Sequence, residues 1–190
     1  MKNLSSLHNI HKEGLFGDHE KNNPIKIKEI KDVLVYQVVK YKNSKINNKD
    51  IVIDNLNFPE TLLVSSNNET RILWMGPDNW LIISIKKDIE QSILNMSNSD
   101  FALTDLSHTR TILELEGELC NEVLKKGCPL NLDGLDENKC ANSVFHAITI
   151  TVDFISQNPK KIRILSLRSF GESLYHSITD ACLEFGYKAE

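Results

Sequence analysis

The stretch Arg71-Ile-Leu-Trp-Met-Gly-Pro-Asp-Asn-Trp-Leu-Ile-Ile-Ser-Ile85 decides the fold class. Two runs rich in branched and aromatic residues flank Gly76-Pro77-Asp78-Asn79, where Pro77 presets φ for a tight turn, so the segment reads as a hairpin. Trp80 to Ile85 is nearly continuous in apolar residues and short enough to be a buried strand. From Asp88 to Met96 the period changes, and Ile89, Ile93, Leu94 and Met96 share one broad helical face. The local unit is therefore strand, strand, helix.

That unit recurs downstream. Phe101 to Leu106 and Thr109 to Leu115 read as strands, the second alternating Thr111, Leu113 and Leu115 with Ile112 and Glu114. Gly117 ends it, and a helix follows with Leu119, Val123 and Leu124 inward, stopping at Gly127 with Lys125 and Lys126 in its last turn. Cys128 to Asn142 reads as loop. Val144 to Phe154 and Lys161 to Leu167 make a hairpin across Gln157-Asn158-Pro159-Lys160. Ser169 and Glu172 form a capping box for a last helix that carries Leu174, Ile178, Ala181, Cys182 and Phe185 on one face and ends at Gly186.

Upstream, Val33 to Tyr41 is a strand, while Lys42 to Asp50, Pro59 and Ser65-Ser66-Asn67-Asn68 mark loops. Residues 1–23 have no periodicity and read as a flexible tail, leaving 24–190 as a single domain. Three strand-strand-helix repeats define an α+β fold, a mixed or antiparallel sheet with helices on one side.

Composition narrows the function classes. The 190 residues are 41% hydrophobic and 25% charged, which suits one ordinary globular domain with no need of a metal or disulfide staple. Lys and Arg number 22 against 26 Asp and Glu, a net charge of −4, which excludes the basic footprint of a nucleic-acid binder. The longest apolar run is too short to cross a bilayer, and the N-terminus has no apolar secretory core. Neither G-x-G-x-x-G nor G-x-x-x-x-G-K-[ST] occurs, so the chain carries no nucleotide fingerprint. The four cysteines, 120, 128, 140 and 182, have no zinc-ligand spacing, and a reduced, cytoplasmic protein without a structural metal is expected.

Charge is uneven. The first fifty residues hold ten Lys, no Arg and six acids, whereas residues 88–140 hold eleven acids against four bases. A basic arm and a solvated acidic face are the plain reading, and docking on a partner the sharper one.

The candidate functional residues fall in three places. Trp74 and Trp80 flank the turn at Asp78, and paired indoles beside an acid make either core corners or a pocket wall and interface anchor. Asp105-Leu-Ser-His-Thr-Arg110 crowds an acid, a hydroxyl, an imidazole and a guanidinium into six residues. A Ser/His/Asp relay is rejected there, because on an extended segment Asp105 and Ser107 share a face while His108 points to the other. Asp105 instead caps the turn before Thr109, or joins His108 and Arg110 in a positioning cluster through a charge-assisted bond. Arginine is scarce, only Arg71, Arg110, Arg163 and Arg168, so an Arg beside an acid, as Arg110 is to Asp105, suggests a planar bidentate contact, and Arg168 is a further pocket or interface candidate. Cys128, at a helix C-terminus, reads as a buried inert thiol.

Taken together, Trp74-Met-Gly-Pro-Asp-Asn-Trp80-Leu81, Asp105-Leu-Ser-His-Thr-Arg110-Thr111, Val123-Leu-Lys-Lys-Gly-Cys-Pro-Leu130, Cys140-Ala141, Arg168-Ser-Phe170 and Asp180-Ala-Cys-Leu-Glu-Phe-Gly186 resemble, in order, the gamma subunit of heterotetrameric sarcosine oxidase. The resemblance spans about residues 71–186. It implies a fold similar to the folate-binding domain of the glycine-cleavage aminomethyltransferase, and a mainly structural subunit rather than a complete enzyme. In that family the complex oxidises sarcosine to glycine, passes the methyl carbon to tetrahydrofolate and reduces oxygen to hydrogen peroxide. The resemblance places FAD, FMN, NAD, zinc and tetrahydrofolate on other subunits and none on this chain. It makes the alpha, beta and delta subunits the partners, with alpha the direct contact. Asp105 opens a segment laid out like one where aminomethyltransferases place a functional acid, so a stand-alone folate-binding or one-carbon-transfer module is the alternative. A generic α+β interaction domain is the third reading.

Overall fold

The computed structural model describes residues 5–18, 23–95 and 100–190. In chain order the strands and helices begin with β1 Gly14–Phe16, β2 Ile25–Glu29, β3 Leu34–Lys40, β4 Val52–Ile53, β5 Leu56–Asn57 and β6 Val64–Ser66. The hairpin β7 Thr70–Gly76 and β8 Asn79–Ser84 leads to α1 Ile89–Leu94, β9 Phe101–Asp105, β10 Arg110–Glu116 and α2 Cys120–Lys125. The chain closes with β11 Cys140–Phe145, β12 Ile148–Gln157, β13 Lys160–Leu167, α3 Gly171–Cys182 and β14 Tyr187–Ala189.

The expected single domain divides into two compact units, one of Met1–Lys31 with Thr109–Glu190 and one of Asp32–His108. The strand-strand-helix order holds, but β9 and β10 join different sheets. β9 pairs with β3, whereas β10 pairs with β2 and β13. A period-2 pattern marks a strand without naming its neighbour, so the repeat looked like one sheet in the sequence.

In the first unit the sheet order is β1-β14-β2-β10-β13-β12-β11, mixed because β14 runs parallel to β2. Leu113 and Leu115 of β10, Ile25 and Ile27 of β2, and Ile162 and Ile164 of β13 form one core with Val123 and Leu124 of α2 and Leu174 and Ile178 of α3. Both helices pack against β13, and α3 also packs on β10. The alternate residues of β10 face the other way, and there Glu114 is buried at 3% exposure. Its carboxylate accepts from Arg163 Nε at 2.8 Å and lies 3.1 Å from Lys28 Nζ. Lys28, Glu114, Arg163 and Asp153 are register neighbours across β2, β10, β13 and β12, so charges alternate along the row. Burial alone pushes the Glu114 carboxyl up, but the Arg163 and Lys28 cations bring it net below its ordinary value.

Part of the stretch read as tail is structured. Leu7 is fully buried in the core of this unit, and β1 pairs with β14 while Phe16 stacks on Tyr187. Ser5 and Ser6 hydroxyls donate to the Glu29 carboxylate, and His11 Nδ1 lies 3.0 Å from the Tyr175 hydroxyl. These partners are far away in sequence, so local periodicity carried no trace of them. The rest of the tail reading, residues 1–4 and 19–22, lies outside the described residues, as does Met96 of the expected α1 face.

Three further expectations change. Val144 to Phe154 is not one strand, because His146 and Ala147 turn the chain with φ of 45° and 69°. No Gly, Asn or Asp marks that turn, and the strand before it, Cys140–Phe145, starts inside the stretch Cys128–Asn142 that reads as loop. The capping box at Ser169 is replaced by a 3-10 turn over Arg168–Phe170, with Phe170 at the N-cap of α3 and no side-chain cap bond. Phe185 is only half-buried against the core, with Lys126 Nζ 4.4 Å from its ring centre.

In the Asp32–His108 unit the sheet is antiparallel, in the order β6-β7-β8-β3-β9. Tyr36, Val38, Ile72, Trp80, Ile82 and Phe101 bury one face against Ile51, Ile53 and Phe58 of the intervening segment and Ile89 and Ile93 of α1. Trp80–Ile83 is buried throughout, as its apolar run predicts.

Two substitutions test this packing by urea denaturation. Ile178→Ala removes a fully buried side chain and should cost about 2–5 kcal/mol, with Phe185→Ala clearly cheaper. Arg163→Met strips a cation from buried Glu114 and should cost roughly 3 kcal/mol, at the low end for a broken buried pair because Lys28 remains. Equal costs for Ile178 and Phe185, or a neutral Arg163 variant, would contradict the arrangement.

Candidate functional site

The hairpin β7–β8 turns at Pro77-Asp78, with Asp78 in the left-handed region at φ 54°. Aspartate tolerates that conformation better than most residues, and Pro77 presets the preceding φ. The register places Trp74 directly opposite Trp80 on one face of the hairpin. Trp80 is buried, donates from Nε1 to the Pro59 carbonyl at 3.1 Å and packs 4.9 Å from the Phe58 ring. Trp74 is half-buried. Beside the indoles lies a groove of about 410 Å³, within this unit, lined by Trp74, Pro77, Asp78 and Trp80 on one side and Phe58, Pro59 and Glu60 on the other. Asn47, Asn48 and Lys49 complete it, with Lys49 Nζ 3.3 Å from Glu60. The indole–acid grouping expected from sequence is thus assembled, while the opposite wall was not anticipated. Lys42 to Asp50 and Pro59 read as loop, and the signal between them was apolar: Ile51, Ile53 and Phe58, all buried, pin this connection to the sheet.

A second anchor holds that wall. Asp54, at the β4–β5 turn with φ 51°, accepts from Lys86 Nζ at 2.6 Å, Thr70 Oγ1 at 2.7 Å and Asn67 Nδ2 at 3.0 Å. The Lys86 bond foremost, helped by Asn67 and Thr70, holds the Asp54 carboxyl down at about 2.

Asp105 and His108 belong to the same unit but do not line the groove. Asp105 Oδ1 accepts from Ser107 N at 2.8 Å, and Ser107 Oγ accepts from Val35 N at 3.0 Å. This is an Asx-type turn closing β9 against β3, the capping role read from sequence. The Ser107 hydroxyl, then its backbone N–H, and the nearby His108 hold the Asp105 carboxyl below its ordinary value against partial burial. Arg110 lies in the other unit. It donates to the Thr109 carbonyl at 3.3 Å and hydroxyl at 3.0 Å, and burial draws its guanidinium pKa down. Of the three residues expected to cluster, Asp105 and His108 thus belong to one unit and Arg110 to the other. Arg168 follows Leu167, the register partner of Arg110. It lines a second depression of about 400 Å³ with Ser5, Ser6, His8, Ser169 and Ser173. Ser5, Ser6 and His8 come from the stretch read as tail.

All four cysteines are free and buried, and burial pushes the Cys120 and Cys182 thiols up to about 12. Among the described residues no group of three or more His, Cys, Asp or Glu is placed to hold a metal ion.

The fold and this surface define a class: an α+β protein similar in architecture to an aminomethyltransferase, with a hairpin-borne aromatic groove. The structure superposes on glycine cleavage system aminomethyltransferase T from Bartonella henselae with TM-score 0.56 at 10% identity, covering 83% of this chain and 46% of that one. A chain of heterotetrameric sarcosine oxidase from Corynebacterium sp. U-96 matches with TM-score 0.77 at 21% identity over 97% of both chains. In sequence, 120 residues are 31% identical to sarcosine oxidase subunit gamma of Corynebacterium sp. (strain U-96), and 123 residues are 32% identical to that of strain P-1. Each of these sequence matches takes in 61% of this chain and 58% of the relative's length. The sarcosine oxidase, gamma subunit family matches over residues 51–184, and this chain belongs to that family.

The Asp54 anchor makes an acid-range prediction. Its folded pKa of about 2 lies below the ordinary value near 3.9, so its stabilisation is complete above that value and is lost as pH falls towards about 2. Both tryptophans of the chain lie in this unit, so their fluorescence reports the loss directly. Asp54→Asn should lower the denaturation midpoint at pH 7 and reduce the difference in stability between pH 5 and pH 3. An unchanged pH dependence would contradict the anchor.

Proposed function

We propose that this chain is the gamma subunit of a heterotetrameric sarcosine oxidase and acts there as a mainly structural subunit. Membership of the family, with a shared fold over nearly all of both chains, is the observation that carries the reading. In this reading the oxidative demethylation of sarcosine to glycine, hydrogen peroxide and 5,10-methylenetetrahydrofolate takes place elsewhere in the complex. FAD, FMN, NAD, zinc and tetrahydrofolate are held by the other subunits, alpha is the direct contact, and the assembly is cytoplasmic. The local chemistry supports a non-catalytic part. Asp105 is spent on a turn, and the thiols of Cys120 and Cys182 are buried and protonated at neutral pH.

The aminomethyltransferase-like architecture keeps a folate-binding module acting alone as a second reading. One preparation separates the two. The purified chain should be colourless, form no peroxide from sarcosine and show no saturable tetrahydrofolate binding. Co-expressed with its alpha, beta and delta chains, it should elute with them in one stoichiometric complex. Peroxide formation or stoichiometric flavin on the isolated chain would overturn the proposal, and tight folate binding without co-elution would establish the alternative.

A further inference from the structure

The groove beside the tryptophans carries a specific chemistry. Its volume, about 410 Å³, falls in the range of ligand pockets. One wall is aromatic, and its charges are unevenly spent. Glu60 already faces Lys49, and Lys40 Nζ donates to Asn48 Oδ1 at 3.2 Å. The Asp78 carboxylate is exposed, and among the described residues no hydrogen bond or ion pair reaches it. Its backbone, by contrast, is fixed twice, by the left-handed hairpin turn and by Lys40 N, which donates to the Asp78 carbonyl at 2.8 Å. The backbone that carries this acceptor is thereby held at a groove that Trp74 and Trp80 also line, which lowers the ordering cost of binding there.

An aromatic face beside a carboxylate selects a cation, and a planar guanidinium meets both demands by stacking on the ring and forking onto the two oxygens. A lone small cation leaves most of the groove empty, whereas a peptide brings flanking backbone for the amides of Asn47 and Asn48 and the hydroxyl of Thr61. The geometry points to a docking site for an arginine side chain presented by another polypeptide of the assembly, its guanidinium against Trp74 and bidentate on Asp78. The source of the arginine rests on the subunit reading above. The groove's affinity for it does not.

Trp74 and Trp80 are the only tryptophans in the chain, so their fluorescence is the readout. The full chain is titrated with acetyl-Gly-Arg-Gly-amide and with the same peptide carrying citrulline, which keeps the shape and removes the charge. The arginine peptide should give a saturable change, at least tenfold tighter than the citrulline peptide. Asp78→Asn should abolish that preference while leaving the denaturation midpoint in place, since Asn tolerates positive φ. Asp78→Gly serves if the Asn variant does not fold. Equal response to both peptides, no saturable response, or an arginine preference that survives both substitutions would overturn the site.

The partner is tested by co-elution. If the parent chain assembles, the Asp78 variant should associate at least tenfold more weakly. Association at parental strength would overturn the docking role. Failure of the parent itself to assemble would overturn the subunit reading and the source of the arginine, while the peptide titration still decides the groove's chemistry.

Discussion

A carboxylate buried in the middle of β10 constrains the first unit. Glu114 cannot stay ionised out of water without cations, and Lys28 and Arg163 supply them from the strands on either side. Slipping either neighbour by one residue would turn its cation to the core face and bring an apolar side chain, or on β2 the like-charged Glu29, against the carboxylate. The apolar face of the sheet, Ile27, Leu113, Leu115, Ile162 and Ile164, is indifferent to a shift of two residues, because branched aliphatics repeat along it. The charged face repeats as well, because Lys26, Glu116 and Lys161 form a second row two residues along. Buried Glu114 therefore acts against one-residue slips, and the helices α2 and α3 pack on a sheet whose apolar face it helps to keep turned towards them.

The second unit solves the same problem with a different device. Its sheet leaves a long connection, residues 42–63, whose strands are only the short β4–β5 pair, to be held in place. Apolar anchors at Ile51, Ile53 and Phe58 do part of this, and the Asp54 carboxylate does the rest by gathering Lys86, Asn67 and Thr70. The outcome is a wall facing the β7–β8 hairpin. Trp80 is locked by Phe58 and the Pro59 carbonyl, Trp74 stays half-open, and Asp78 sits at the tip. Rigid support beneath a partly exposed aromatic is the arrangement found at interface hot spots, where a well-packed ring carries binding.

Much of this was legible in the sequence where the determinants are local. The hairpin at Gly76-Pro77-Asp78-Asn79, the buried run from Trp80 to Ile83 and the inward face of α3 follow from turn chemistry and periodicity, and the grouping of Trp74, Asp78 and Trp80 came with the hairpin. Asp105 was legible as a cap for the same reason, because its partner Ser107 is two residues away. What escaped depends on distant partners. Leu7 and the Ser5-Ser6 bonds to Glu29 join the N-terminal stretch to β2, and β14 pairs with β1 and β2 across most of the chain's length. The turn at His146-Ala147 uses positive φ at residues that rarely advertise it. The division into two sheets depends on which strand β9 chooses, and alternation along β9 is silent on that choice.

The central claim is that this chain acts through its surface within a larger assembly, with the aromatic groove as a contact. Amide hydrogen exchange, compared between the chain alone and the chain in the co-purified complex, tests it most directly. The account predicts slower exchange on assembly in peptides covering residues 47–61 and 74–80. Assembly-dependent protection confined to other segments, with those two unchanged, would contradict it.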